Sequence, residues 1–266
     1  MPAASRQAVR PGSAPDPVEV HTIHLAHAEQ RKREFLKRNQ LCGVEFTFED
    51  GVDGKSLDLA AIVQQGLILR GTANYTSATL GSALAHRKLW LKSAAEDRPV
   101  IVSEDDAVFR LDFRAQLDLT MRAMPRDWDI LLMGYNFNSV LHLDIIPGVE
   151  EFGGLFYRRR LGCSELDRFQ KNEAPTGVFP LRNCFGLPCY ALSPAGARFL
   201  LARVFPLHNR PVRIPALRKT IVSFSNDSIM NCLYELMKAY VCLPPLVVTP
   251  HNIDPDDHAV TLCNVL

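Results

Sequence analysis

The chain predicts an α/β fold, a mostly parallel sheet flanked by helices in a single domain. Two observations carry that expectation. Apolar runs of strand length alternate with longer stretches of helical period, the rhythm of strands connected by crossover helices. With 266 residues, 47% of them hydrophobic, there is material for one sizeable core.

The elements follow in order. Met1 to Pro17 is rich in Pro, Ala and Ser and nearly free of bulky apolar residues, which predicts a disordered tail ahead of one domain over 18–266. Val18 to Leu25 reads as a strand, Ala28 to Gln40 as a charged helix, and Val44 to Phe48 as a second strand closing on the turn Gly51-Val52-Asp53-Gly54. Leu80, Leu84, Leu91 and Ala95 share one side of a helix from near Thr79 to Ala95, with Thr76, Ser77 and Thr79 as caps. The apolar run from Pro99 is a buried strand that ends abruptly in Glu104-Asp105-Asp106. Trp128 to Met133 and Pro188 to Leu192 read as further strands, Pro194 to Phe205 and Asn226 to Lys238 as helices. Tyr190, Ser193 and Gly196 fit a strand-to-helix junction, and Trp90 and Trp128 fit the core. Phe137 to Leu187, with Gly153-Gly154 and the run Arg158-Arg159-Arg160, has no clear period and reads as a binding loop. The basic stretch His208 to Lys219, broken by Pro211 and Pro215, is a second irregular piece.

Composition excludes several classes. Thirty Lys and Arg against 29 Asp and Glu leave a formal charge of +1, so no global field recruits nucleic acid, and membrane contact is at most peripheral. The seven cysteines are odd in number and scattered, without the Cys-x-x-Cys spacing of zinc or redox sites, which fits reduced thiols in a cytoplasm. No stretch reaches the length of a membrane span, and no charged leader precedes an apolar run at the N-terminus.

The acidic trio carries the chemistry. In an extended segment Glu104 and Asp106 point to one face and Asp105 to the other. Two carboxylates about 4 Å apart repel by about 4 kcal/mol at an effective dielectric near 20, so a cation is expected beside them. Hard oxygen ligands at the carboxyl end of a sheet strand suit Mg²⁺ or Mn²⁺ bridging to phosphates. An acidic turn, or a salt-bridge partner for an arginine, is the plainer alternative.

Six pieces occur in sequence order: the first strand and basic helix with Arg31 and Arg33, the Asp50-Gly51-Val52-Asp53-Gly54 turn, and the Leu80-Gly81-Ser82-Ala83-Leu84-Ala85-His86 helix start. The others are Ser103-Glu104-Asp105-Asp106-Ala107, the segment Tyr190 to Ala197, and the Asn226-Asp227 helix start. Together they resemble glycosyltransferase family 25, the group of lipooligosaccharide and collagen galactosyltransferases. The likeness spans most of Val18 to Pro250, and the family's Glu, Cys and Ser are replaced here by Thr79, Ser82 and Ala85.

The resemblance implies a GT-A-like fold and an inverting, metal-dependent transfer of a hexose, galactose foremost, from a UDP-sugar to a carbohydrate acceptor, such as a lipid-linked oligosaccharide or a protein glycan. It implies Mn²⁺ (or Mg²⁺) held by Asp106 and then Glu104, with Asp105 hydrogen-bonding the ribose or sugar. Asp227 becomes the candidate base, against the alternative of a helix cap. His86 is placed against donor phosphate or metal, or serves as a structural hydrogen-bonder. Arg31 or Arg33 clamps the diphosphate, and Asp53 contacts uridine or only forms its turn. The departures at Thr79, Ser82 and Ala85 leave a second reading, a transferase-like fold that only binds carbohydrate or serves as a scaffold. A phosphohydrolase using the same carboxylates would need more acids, and Asp254, Asp256 and Asp257 read as an exposed tail.

Overall fold

The computed structural model describes residues 18–156 and 160–250, so the N-terminal tail, Arg158 and Arg159 of the basic run, and Asp254, Asp256 and Asp257 lie outside the described residues. The chain runs β1 (Glu19–His24), α1 (Glu29–Asn39), β2 (Glu45–Asp50), α2 (Leu59–Gln64), α3 (Ser77–Glu96), β3 (Val100–Glu104), β4 (Val108–Phe109), α4 (Phe113–Ala123) and β5 (Ile130–Leu132). It continues β6 (Val140–Ile146), β7 (Glu150–Leu155), α5 (Cys163–Gln170), β8 (Gly177–Cys184), β9 (Cys189–Leu192) and α6 (Pro194–Val204). The last elements are β10 (Pro211–Ile214), β11 (Lys219–Val222), α7 (Asn226–Met230), β12 (Ala239–Leu243) and β13 (Val247–Val248).

One nine-stranded sheet, ordered β2-β1-β3-β9-β5-β12-β8-β6-β7, organises these elements. β1 pairs in parallel with β2 and β3, and β5 with β12. β9 is inserted antiparallel between β3 and β5, so β2, β1, β3, β5 and β12 all point one way. The expectation of an α/β fold with a mostly parallel sheet therefore holds for these five strands, and the antiparallel pairings of β9 and of β8, β6 and β7 make the whole sheet mixed. Hydrophobic clusters pack on both faces: α3, α6 and α7 cover one side through Trp90, Leu200, Ile229 and Met230, while Phe35, Phe109 and Phe113 cover the other.

Two regions differ from the sequence expectation. The stretch from Phe137 to Leu187 contains β6, β7, β8 and α5 and extends the sheet by three strands. His208 to Lys219 falls largely within the β10–β11 hairpin, whose Val212 and Ile214 pack under Val140 and Phe185. The expected helix from Asn226 to Lys238 stops at Met230. Its end is set by Asn231, whose side-chain amide pairs with both backbone groups of Cys184 at 2.8 Å and draws the chain toward β8. After it, turns and a short 3-10 segment (Tyr234–Leu236) replace the α-helix.

The helix α3 is fixed at its start by Thr76, whose hydroxyl accepts the Thr79 N–H at 3.2 Å. Five residues after Thr76, Gly81 lets α3 lie directly on the turn after β2. A Cβ there would collide with the Val52 carbonyl and stand 2.8 Å from the Gly54 nitrogen. Gly81→Ala is expected to lower stability by about 1 to 3 kcal/mol through overpacking, read as a fall of several degrees in thermal denaturation. An unchanged melting temperature would show that the turn moves freely away from the helix.

Candidate functional site

The acidic trio is not extended. β3 ends at Glu104, and the Ala107 N–H returns to the Glu104 carbonyl at 3.1 Å, closing a turn over Glu104 to Ala107. The expected alternation of faces therefore stops at the strand end, because the backbone reverses there. Two neighbours hold the turn. Asn39, at the end of α1, donates to the Ala107 carbonyl and accepts from the Phe109 N–H, each at 2.9 Å. The Pro188 carbonyl, before β9, accepts the Glu104 N–H at 3.1 Å.

Each acid then meets a different environment. Asp105 turns back onto β1 and α1: its Oδ2 lies 2.7 Å from His24 Nδ1 and its Oδ1 accepts from Arg31 Nη1 at 3.1 Å. Ile23 is the register partner of Glu104, so His24 ends its strand at the same sheet edge. Glu104 stands 3.4 Å from His86 Nε2, and His86, only 1% exposed, meets the Tyr190 hydroxyl through Nδ1 at 2.9 Å. Trp90 Nε1 donates to the same hydroxyl at 2.7 Å. An indole N–H only donates and a carboxylate only accepts, so the chain runs from Trp90 to Tyr190 to His86 Nδ1, with Nε2–H donating to Glu104.

Asp106 is partly exposed, yet its Oδ1 is buried without a hydrogen-bond partner. Burial, with the Glu104 and Asp105 charges beside it, pushes Asp106 up to about 7, and the Arg31 guanidinium opposes the shift. A buried, unpartnered carboxylate oxygen costs about 1 to 3 kcal/mol, a cost that a ligand meeting Asp106 Oδ1 would remove. A divalent cation fits that chemistry: Glu104 and Asp106 offer hard oxygens, and Mg²⁺ or Mn²⁺ commonly needs only one or two carboxylates plus substrate phosphates. Among the described residues no group of three or more His, Cys, Asp or Glu side chains converges as a self-sufficient metal centre.

Asp227 belongs to the same neighbourhood. Burial raises its pKa, Glu104's charge adds to the rise, and hydrogen bonds from Ser225, Gly186 and Ser228 oppose it. Its Oδ2 accepts the Gly186 N–H at 2.7 Å, and its Oδ1 accepts the Ser228 N–H at 2.8 Å and the Ser225 hydroxyl. Three of the four lone-pair positions are thereby taken, and Oδ2 keeps one. Gly186 has φ +87°, and a Cβ on it would run into the Asn136 side chain, so only glycine brings this N–H to Asp227. Next to Asp227, the Asn226 amide is buried with no partner for either atom.

The structure thus gathers Glu104, Asp105, Asp106, His86 and Arg31, with Asp227 close enough for the Glu104 charge to act on it. Arg33, two residues along α1, is exposed and lies about 200° around the helix from Arg31. Asp53 accepts the Lys55 N–H at 2.9 Å and starts the 3-10 turn Gly54–Ser56, which is the turn-forming role. Thr79 hydrogen-bonds back to Thr76, and Ala85 is buried on α3. His24 escaped sequence reasoning. The available signal was its place at the end of the first strand, where parallel neighbours deliver their tips to one edge.

The chain is thus a mixed α/β protein whose parallel strands β1 and β3 end at one edge, with the acids of the turn after β3 placed there. The comparisons give the family: a profile of glycosyltransferase family 25 (LPS biosynthesis protein) matches residues 18–212, and the chain belongs to that family. Among solved structures it is similar to the inositol-1-phosphate CTP transferase from T. maritima, at 12% identity and TM-score 0.38 over 87% of this chain and 88% of that one. It is also similar to mouse xyloside xylosyltransferase 1 in its apo form, at 10% identity and TM-score 0.34 over 82% and 68%. No match is found among curated proteins. No helix among the described residues is long and apolar enough to cross a membrane.

Proposed function

We propose that this glycosyltransferase is an inverting, metal-dependent enzyme that moves a hexose, galactose foremost, from a UDP-sugar to a carbohydrate acceptor, working in the cytoplasm on a lipid-linked oligosaccharide or a protein glycan. The observation that carries the reading is the unpartnered Asp106 oxygen beside Glu104, with Asp227 within electrostatic reach of the same carboxylate.

Mn²⁺ or Mg²⁺ held by Glu104 and Asp106 would neutralise charge on the departing diphosphate. His86 keeps the Glu104 carboxylate in place through its Nε2–H, with Tyr190 and Trp90 fixing the ring behind it. Arg31 meets the diphosphate as a planar cation at the rim of the turn. The acceptor hydroxyl oxygen attacks the anomeric carbon, the bond to the diphosphate breaks with its electron pair leaving on UDP, and the hydroxyl proton passes to the open position of Asp227 Oδ2. A base with a raised pKa holds that proton more readily than an ordinary aspartate does.

The test is a thermal-shift screen of UDP, CDP, GDP and ADP with and without Mn²⁺, followed by measurement of UDP released from UDP-galactose. Stabilisation by UDP that deepens with Mn²⁺, and slow donor hydrolysis, are the expected results. Binding without any hydrolysis or transfer would favour the scaffold reading that Thr79, Ser82 and Ala85 raise, and no response to any nucleotide would overturn the donor assignment.

A further inference from the structure

Asp105 is occupied on both oxygens, by His24 on one side and Arg31 on the other. The buried partners are rigidly placed: the His24 and Asp105 side chains are 5% and 7% exposed, whereas that of Arg31 is 51% exposed. His24 sits at the last position of β1, and its ring stands edge-on to Phe48 with centroids 5.6 Å apart. Its Nε2 is buried and has no hydrogen-bond partner, so the hydrogen bonding of this ring goes to Asp105 alone.

A carboxylate gripped at one oxygen cannot rotate, and its second oxygen then fixes the direction of a guanidinium bound to it. Arg31 is carried by the first turn of α1, and its charge also acts on Asp106. The guanidinium therefore stands at the exposed rim of the acidic turn, tied through Asp105 to the end of a buried strand.

We infer that His24 is a positioning residue: acting through Asp105, it orients the Arg31 guanidinium toward the diphosphate of the donor. Asp105 thus serves as a bracket between strand and arginine rather than as a sugar contact. The inference rests on the nucleoside-diphosphate donor proposed above, and it adds a residue and a route that the sequence motifs do not contain.

The test is calorimetric titration of UDP in the presence of Mn²⁺ against the full chain, His24→Leu, Arg31→Ala and the double variant, with His24→Gln retaining an N–H donor. Expected is a loss of about tenfold in UDP affinity for His24→Leu, a similar loss for Arg31→Ala, and little further loss in the double variant, since the first change acts only through the second residue. His24→Gln should recover much of the affinity. In UDP-galactose hydrolysis the His24→Leu defect should fall on KM, with kcat nearly unchanged.

Additive losses in the double variant, or full UDP affinity in His24→Leu, would overturn the relay while leaving the donor assignment intact. Should His24→Leu not fold, Asp105→Asn replaces it in the same cycle, with the same two outcomes deciding. Failure of the unaltered protein to bind UDP would remove the donor assignment and this inference together.

Discussion

Asp106→Asn is expected to abolish sugar transfer, by about 10³-fold or more, and at the same time to make the metal-free protein more stable at pH 8. The two effects share one cause. The carboxyl of Asp106 is pushed up to about 7 by burial and by Glu104 and Asp105, from an ordinary value of 3.8. For an acid whose folded value is the higher one, the folded chain holds more protons than the unfolded chain across the window between them. Stability therefore falls as pH rises from about 4 to about 7, and the penalty is complete above that window. Removing the charge removes the penalty. Because part of the side chain is open to solvent, the gain is on the order of 1 to 2 kcal/mol, a rise of a few degrees in melting temperature at pH 8 and none at pH 4. Added Mn²⁺ should raise the melting temperature of the unaltered protein and leave that of Asp106→Asn where it was. The loss of activity follows from several kcal/mol of transition-state charge stabilisation that two carboxylates no longer share with a cation. Asp106→Ala should lose transfer equally while keeping its fold, and transfer at an unchanged rate in either variant would end the metal assignment.

The same turn shows which parts of the molecule are legible in a sequence. β1, α1, β2, α3, β3, β9 and α6 are framed by period, caps and turn residues, and their expected boundaries agree with the structure to within a few residues. The acids at the end of β3 were legible because the apolar run stops at three consecutive carboxylates. Their orientation was not, since the reversal at Glu104 depends on Asn39, Pro188 and His24, which are distant in sequence. β6 to β8 were hidden for a different reason. The first five residues of β6 are all buried and give no alternation, β7 is largely exposed and contains Gly153-Gly154, and β8 contains Pro180. A proline argues against an interior strand. Pro180 is tolerated because it pairs with Tyr240 of β12, while the pairing of β8 with β6 begins one residue later, at Leu181, and shifts register before Asn183. The pairing that rescues such a strand comes from tertiary context, which local propensity does not carry.

Asp227→Asn should lower kcat by about 10² to 10⁴ while the KM for the donor stays close to its original value, the signature of a lost base rather than a lost binding contact. The competing role is a cap, which Asp227 Oδ1 shares by accepting the Ser228 N–H at 2.8 Å. Ser225 is the N-cap of α7, its hydroxyl lying 3.4 Å from the Ser228 N–H, so the helix does not depend on Asp227 alone. Asp227 instead reaches across to the Gly186 N–H, on a segment where glycine is required, and keeps one lone pair on that same oxygen. Ser225→Ala supplies the complementary measurement. The Ser225 hydroxyl lowers the pKa of Asp227 by stabilising its charged form. Its removal lets burial and Glu104 raise that pKa further, so the acidic limb of the kcat/KM profile should move to higher pH with the carboxylate still present. A base that titrates later needs a higher pH to accept the acceptor's proton. If the limb stays in place in Ser225→Ala, or if Asp227→Asn turns over normally, the proton goes elsewhere and Asp227 is structural.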